Sequence, residues 1–384
     1  MLPYDLRASE AHAEMLHGIG VLTSAELETL RKALHEIREL WQKGDFKVMR
    51  SQEDGHTAIE QFITEKYGEV GKKIHTGRSR NDQSLTMIRL YALDQLREAQ
   101  RLVEELSVAV DAKAKEHEAT PMPGYTHMQR AMPTTVGTWL RSFACGWRDA
   151  THPLSSAITV LDQNPLGSAA GFGINGLNLD RNATTRHMGF SRTQENPMYC
   201  GLSRGMFENV ALQAMSFPVV LSSRYATDMM MFTQQESGFM ALPDGFVTGS
   251  SIMPQKKNYD LFEIMRANGK VFGSLQQQVQ ATVVGLGSGY HRDLQCTKKA
   301  FVEACGLCIS TLKLLSEAIP ALQVRGENLQ AAMTKDLYVT DEVYKRVAAG
   351  MPFREAYVAA KEDFFKRKAA EEDSEHVAKA AKTS

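Results

Sequence analysis

From Thr23 to Gly44 the apolar residues Leu27, Leu30, Leu34, Ile37, Leu40 and Trp41 recur at three- and four-residue intervals. That spacing predicts an amphipathic helix with one buried face. Thr23 with Glu26 three positions on forms a capping box, and Gly44 supplies the stop. Between Ser84 and His117 the chain carries Leu93, Leu96, Val103, Leu106 and Val110 among charges, with neither glycine nor proline. At ~1.5 Å per residue this predicts a helix about 50 Å long. Further helical runs are expected over Thr134–Asp162, Phe207–Gln235, Tyr259–Val284 and Asp293–Glu317, and strand-type alternation is nearly absent. The expected fold class is therefore all-α. Helices this long bury their faces best in a bundle, within one chain and across copies, so a homo-oligomer is expected.

Glycine and proline collect in Pro121–Gly124, Asn164–Asn178, Leu242–Pro254 and Gly285–Tyr290, at helix ends rather than in one linker. From Ala369 onward the chain is mostly Ala, Lys, Glu and Asp, and an exposed tail is expected.

Composition narrows the class. The 384 residues are 43% hydrophobic and 23% charged, long enough for a sizeable core, which sets disordered and fibrous classes aside. Lys plus Arg number 44 against 45 Asp plus Glu, leaving no net field for nucleic acid or an anionic membrane. The start carries no secretory pattern, and no apolar run reaches the ~20 residues of a membrane span, so a cytoplasmic protein is expected. The cysteines are Cys145, Cys200, Cys296, Cys305 and Cys308, too sparse for a secreted disulfide framework. Cys305 and Cys308 have C-x-x-C spacing without a second pair, which fits structural thiols on a helix and no metal site.

The candidate chemistry sits in the breaks. His75-Thr76-Gly77-Arg78-Ser79-Arg80-Asn81-Asp82 places cations, hydroxyls and an amide just before the longest helix. Arg78 offers a planar fork for a carboxylate and Ser79 and Asn81 can orient it, although a solvated turn capped by Asn81 or Asp82 fits as well. In Pro123-Gly124-Tyr125-Thr126-His127-Met128-Gln129-Arg130 a histidine able to exchange protons near neutrality follows a Pro-Gly turn; taken alone, such a residue is more often a hydrogen-bonded structural histidine. Thr248 to Asn258 combines Gly249, the pair Ser250-Ser251 and Gln255-Lys256-Lys257-Asn258 at a helix entrance. A carbanion beside a carboxylate gathers two negative charges there, and lysine with helix-start amides would stabilise them as they develop. From Gly287 to Lys298, Tyr290, Gln295 and Lys298 can share one face, and His56 sits in a loop near acids; both also fit ordinary polar turns. Met229-Met230-Met231 reads as core.

Together, His75–Asp82, Gly124–Gln129 and Gly249–Asn258 resemble the three signature regions of the fumarase/aspartase superfamily, in order and approximate separation. Within it, His-Thr-Gly-Arg-Ser-Arg-Asn-Asp and Met-Pro-Gln-Lys-Lys-Asn look like the argininosuccinate lyase family, and the likeness runs from about Tyr4 to about Tyr357. The alternative readings are another fumarate-releasing member that shares the serine loop, such as adenylosuccinate lyase or fumarase, and a catalytically idle structural relative.

The resemblance implies a mostly helical subunit with domains over 1–82, 83–320 and 321–384, in a homotetramer whose active sites draw on three subunits. It implies an anti elimination of argininosuccinate to arginine and fumarate, with no redox cofactor and no metal. Ser250 would take the Cβ proton and His127 would stand on the acid side, labels that are also drawn the other way round. Lys256 and Asn258 would hold the carboxylate that gathers charge. Asn81, Thr126, Tyr290, Gln295 and Lys298 would bind the rest of the substrate, with Arg78 and Ser79 beside them and His56 as a further contact.

The pattern departs from the family in four places. Tyr259 follows the asparagine of the third region in place of proline. The usual Ser-x-Arg-Asp-Phe appears as Ser203-Arg204-Gly205-Met206-Phe207. A leading Trp-Gly-Gly-Arg-Phe-like segment and a longer C-terminal domain, both usual in the family, are expected to be missing here.

Overall fold

The computed structural model describes the backbone of residues 1–383 and the side chains of residues 1–370, so the expected exposed tail past Ala370 lies outside the described residues. In chain order the helices are α1 (Leu2–Gly18), α2 (Ser24–Lys43), α3 (Gly55–Tyr67), α4 (Arg80–Glu116), α5 (Val136–Leu161), α6 (Arg181–Met188), α7 (Pro197–Leu202), α8 (Met206–Phe232), α9 (Asp260–Val283), α10 (Gln295–Ala318), α11 (Gly326–Ala332), α12 (Val339–Ala348) and α13 (Phe353–Thr383). The strands are β1 (Pro121–Thr126), β2 (Gln129–Thr135), β3 (Gln163–Asn164), β4 (Arg192–Thr193), β5 (Met240–Ala241) and β6 (Gln323–Val324). They pair as β1 with β2 and β5 with β6, antiparallel, and β3 with β4, parallel.

The protein is thus mostly helical, and each long run read from the sequence is a helix to within a few residues of its expected ends. α2 shows why. Thr23 accepts the Glu26 N–H while Glu26 accepts the Thr23 N–H at 2.9 Å, and Gly44 closes the helix at φ 81°, where a side chain would be strained. The one misjudged segment is Pro121–Thr135, which is a β-hairpin rather than a bare turn.

The chain divides into two compact units. The first comprises Met1–Glu105, Gly146–Arg224 and Ile264–Leu315. At its start α1, α2 and α3 bury one cluster that includes Leu6, Leu16, Leu30, Leu34, Ile37, Ile59 and Ile63. Each such side chain contributes roughly 1.5–3 kcal/mol when removed from water. Further on, Arg89 of α4 is buried and donates to the Gln163 carbonyl (3.0 Å) and to Ser203 Oγ (2.9 Å), tying α4 to the approach to α8. Cys305 and Cys308 are buried in α10 with burial raising both thiols, so they pack as apolar groups.

The second unit comprises Leu106–Cys145, Tyr225–Glu263 and Ser316–Ser384. Trp139 of α5 stacks on Tyr225 (5.7 Å between ring centroids) and donates to Asp228 at 2.9 Å. Of the three methionines read as core, Met229 is fully buried in the same unit and Met230 and Met231 are half-buried. Val343, Ala356 and Ala360 bury a small contact between α12 and α13. Among the described residues no helix is long and apolar enough to cross a membrane.

Candidate functional site

In the first unit, the residues just before α4 are sorted by direction. Ser79 caps the helix: its Oγ accepts the Asn81 N–H (3.2 Å) while Asp82 accepts the Ser79 N–H (2.9 Å). Ser79 and Asn81 also line a cleft of about 960 Å³. Asp82 points inward, where its other oxygen accepts the N–H groups of Gly167 and Ala169, both at 3.0 Å. Burial raises the Asp82 carboxyl to about 6 despite those donors and the Arg78 charge.

Arg78 also turns inward. One guanidinium nitrogen donates to Ser9 Oγ at 3.2 Å and to His75 Nδ1, while its Nε and Nη1 are buried without a hydrogen-bond partner. It is not among the residues lining the cleft.

The same cleft gathers His56 from α3, Tyr290, and Gln295 and Lys298 from the start of α10. The Gln295 amide donates to the Tyr290 hydroxyl at 2.7 Å, and the Tyr290 ring faces the Arg204 guanidinium at 5.2 Å. Burial, reinforced by the Arg204 charge, holds Lys298 below its ordinary range, while Asp54 and Asp5 pull it back up. His56 shares Nδ1 with Gln83, whose amide nitrogen donates to the buried Asp5 at 2.6 Å. Asp5 and Gln83 had no place in the sequence reading, and Arg80 and Arg204 stood there only inside quoted motifs, without a role of their own. The altered Ser203–Phe207 pattern is the signal that could have exposed Arg204.

His56, Glu60 and His75 bring ligand-type atoms within 4.8 Å of one another. Their geometry is spent on other bonds. Arginine only donates, so His75 Nδ1 accepts from Arg78 and its Nε2 carries the proton given to the His56 carbonyl at 3.1 Å. The His56 and His75 rings stack at 3.5 Å and 16°, so their in-plane lone pairs run side by side instead of converging.

The second unit holds the remaining candidates. In the hairpin, Thr126 pairs with Gln129 across a two-residue turn, and that turn puts His127 at φ 53° and Met128 at φ 62°. This geometry normally takes Asn-Gly, and non-glycine residues there carry strain. Thr126 and His127 are exposed at the tip. Behind them Arg130 donates to the Ala332 carbonyl at 3.1 Å and anchors the hairpin.

The loop carrying Ser250 is closed at its neck, where Thr248 and Asn258 exchange backbone hydrogen bonds of 3.0 and 2.9 Å. Inside it the Ser250 hydroxyl oxygen accepts the N–H groups of Met253 (3.1 Å) and Ile252 (3.4 Å). Lys256 and Asn258 line a groove of about 500 Å³ with Met230, Gln255 and Glu263. Lys257 lines the same groove and donates to Asp244. The candidates thus fall into a cleft in one unit and a hairpin tip and loop in the other.

Comparison with known proteins adds to this geometry. A family described as "Lyase" matches residues 1–273. The argininosuccinate lyase of Xanthomonas oryzae pv. oryzae is 41% identical over 359 residues, covering 94% of this chain and 83% of that protein. The argininosuccinate lyase of Stenotrophomonas maltophilia is 42% identical over 358 residues, covering 93% of this chain and 82% of its own. Among solved structures, an EDDS lyase in complex with formate superposes with a TM-score of 0.84 at 24% identity, over 96% of this chain and 72% of that one. The 3-carboxy-cis,cis-muconate lactonizing enzyme from Pseudomonas putida gives 0.81 at 17%, over 97% of this chain and 83% of its own. At those identities the structural likeness speaks for the fold.

Proposed function

The chain belongs to the argininosuccinate lyase family of the fumarase/aspartase superfamily, and from that premise we propose how its residues split argininosuccinate into arginine and fumarate, a step of arginine biosynthesis. The observation that carries the assignment of residues is the cleft. His56, Ser79, Asn81, Tyr290, Gln295 and Lys298 come from sequence-distant elements and line one cavity that combines hydrogen-bonding groups with a cation. It suits a substrate bearing carboxylates and a guanidinium. Arg78 contributes beneath the cleft, by its charge.

Chemistry falls to the other group. An ordinary serine is far too weak a base, so its oxyanion must be favoured by fixed donors. The Met253 and Ile252 N–H groups that meet Ser250 Oγ supply such donors and support Ser250 as the group that takes the Cβ proton. Lys256 and Asn258 stabilise the carboxylate as the carbanion forms. Thr126 orients the substrate and His127 assists departure of arginine; the strained backbone at the hairpin tip is the mark of a residue held for a task.

The cleft, tip and loop are joined in a homotetramer in which each active site draws on three subunits. Apolar side chains exposed along the long helices, such as Val108, Phe217, Val220, Ile264 and Val271, support the association. In this reading the three domains span 1–82, 83–320 and 321–384, and the enzyme works in the cytoplasm with no cofactor.

The test is fumarate release, followed by ultraviolet absorbance, from argininosuccinate and separately from adenylosuccinate. Activity on the second alone would refute the substrate assignment. Ser250→Ala should lower turnover by at least about a thousandfold with the oligomer intact, and near-normal turnover would remove Ser250 from the mechanism.

A further inference from the structure

We infer that Arg204 is a positioning residue that holds Tyr290 in the substrate cleft through the face of its ring. The inference rests on the proposal that Tyr290 binds substrate.

Two buried arginines meet the approach to α8, and they differ in kind. Arg89 is spent on structure, with hydrogen bonds to Gln163, Gln194 and Ser203 and its guanidinium 4.3 Å from the Phe207 ring. Arg204 is only 4% exposed, yet its Nε and Nη2 have no hydrogen-bond partner. Burying an arginine on those terms is costly unless something else holds the charge. The buried Glu208 supplies a countercharge, and the Tyr290 ring supplies a π face at 5.2 Å, inside the ~6 Å reach of the interaction.

Arg204 is aimed by its neighbour. Gly205 has φ 79°, and a Cβ there would meet Val283 Cγ1 at 2.3 Å, so only glycine fits. Its N–H donates to Glu208 at 2.6 Å, which fixes the turn. Arg204 and Tyr290 then line one small cavity together with Asn81.

Tyr290 needs such a support. It follows Gly285, Gly287 and Gly289, which leave that stretch few side chains to pack with, and the residue is 38% exposed. Gln295 fixes its hydroxyl edge and Arg204 its face. Without Arg204 the ring would be ordered only when substrate arrives, which weakens binding and leaves the proton transfers alone.

The experiment is a double-mutant cycle on the full-length enzyme, with KM and kcat for argininosuccinate measured for Arg204→Gln, Tyr290→Ala and the double variant. Arg204→Gln should raise KM about tenfold, the factor equivalent to ~1.4 kcal/mol, with kcat within about twofold. Arg204→Lys, which keeps a cation over the ring, should recover most of that loss. In the Tyr290→Ala background Arg204→Gln should change KM no further. Equal factors in both backgrounds, or an unchanged KM in Arg204→Gln, would overturn the inference. An unchanged KM in Tyr290→Ala alone would instead overturn the reading of Tyr290 as a substrate contact. If Arg204→Gln does not fold, the same cycle with Arg204→Lys decides it, with a KM rise of about threefold expected only where Tyr290 is present.

Discussion

Lowering the pH from 7 to 5.5 should destabilise the first unit through His12 and His75. Both side chains are buried, His12 completely. His12 Nε2 donates to the Thr76 carbonyl at 2.8 Å and its Nδ1 has no partner, while His75 uses both nitrogens on Arg78 and His56. Burial first, and then the Arg78 charge, push both well below the ordinary histidine range. The folded state therefore refuses protons that the unfolded chain accepts below about pH 6.5, so stability present above that pH is lost as the pH falls. Between pH 7 and 5.5 each histidine forfeits a little over ~1 kcal/mol, and the pair about 2–3 kcal/mol. Asp82 works the other way. Its carboxyl is raised to about 6, so the fold gains a proton there before the unfolded chain does, which returns somewhat less than ~1 kcal/mol. Burial also raises the Asp5 and Glu208 carboxyls, which act in the same direction as Asp82, so the net loss is at most about 2 kcal/mol, or roughly 2–3 °C in Tm for a chain of this size. His56 is lowered as well and adds in the same direction.

Thermal melts by circular dichroism at constant ionic strength measure this directly. His12→Gln keeps a donor for Thr76 but cannot titrate, so it should remove about half of the histidine contribution. A Tm that holds or rises at pH 5.5, or a His12→Gln variant that keeps the full fall, would refute the reasoning.

Two further outcomes follow from backbone geometry. Gly205→Ala should destabilise by about 2–4 kcal/mol, because the left-handed φ and the 2.3 Å approach to Val283 act together; a denaturation midpoint within error of the parent would contradict it. Met128→Gly should stabilise the protein by up to about 1 kcal/mol by relieving φ 62°, read as a higher Tm with the hairpin intact.

The helices were legible because periodicity and caps agree. In α2 the Leu-rich face, Thr23 with Glu26 and Gly44 all describe one element, and the structure shows each feature at the expected position. The hairpin was hidden for the converse reason. Pro121, Pro123 and Pro133 lie inside its strands, where proline is normally depleted, and its turn is His127-Met128 in place of the Asn-Gly that signals such turns. In the His75–Asp82 segment the sequence marked the place but not the directions. Ser79 and Asn81 face the cleft, while His75, Arg78 and Asp82 are turned into the interior, a choice made by packing against Ser9, His56 and Gly167 that no local pattern records. The Ser203–Phe207 pattern marked Arg204 without its role, because its partner, Tyr290, lies far along the chain.

The double hydrogen bond between Thr248 and Asn258 makes the serine loop a cassette. Its entry and exit are adjacent positions of a short antiparallel pair, so the spacing between the flanking elements is independent of what lies between them. The contents can be lengthened, shortened or exchanged as a block while the start of α9 stays in register. Loop grafts cut at these two residues are the natural route to new specificities on this scaffold, and grafts cut inside the neck would lose the clasp along with the serine's alignment.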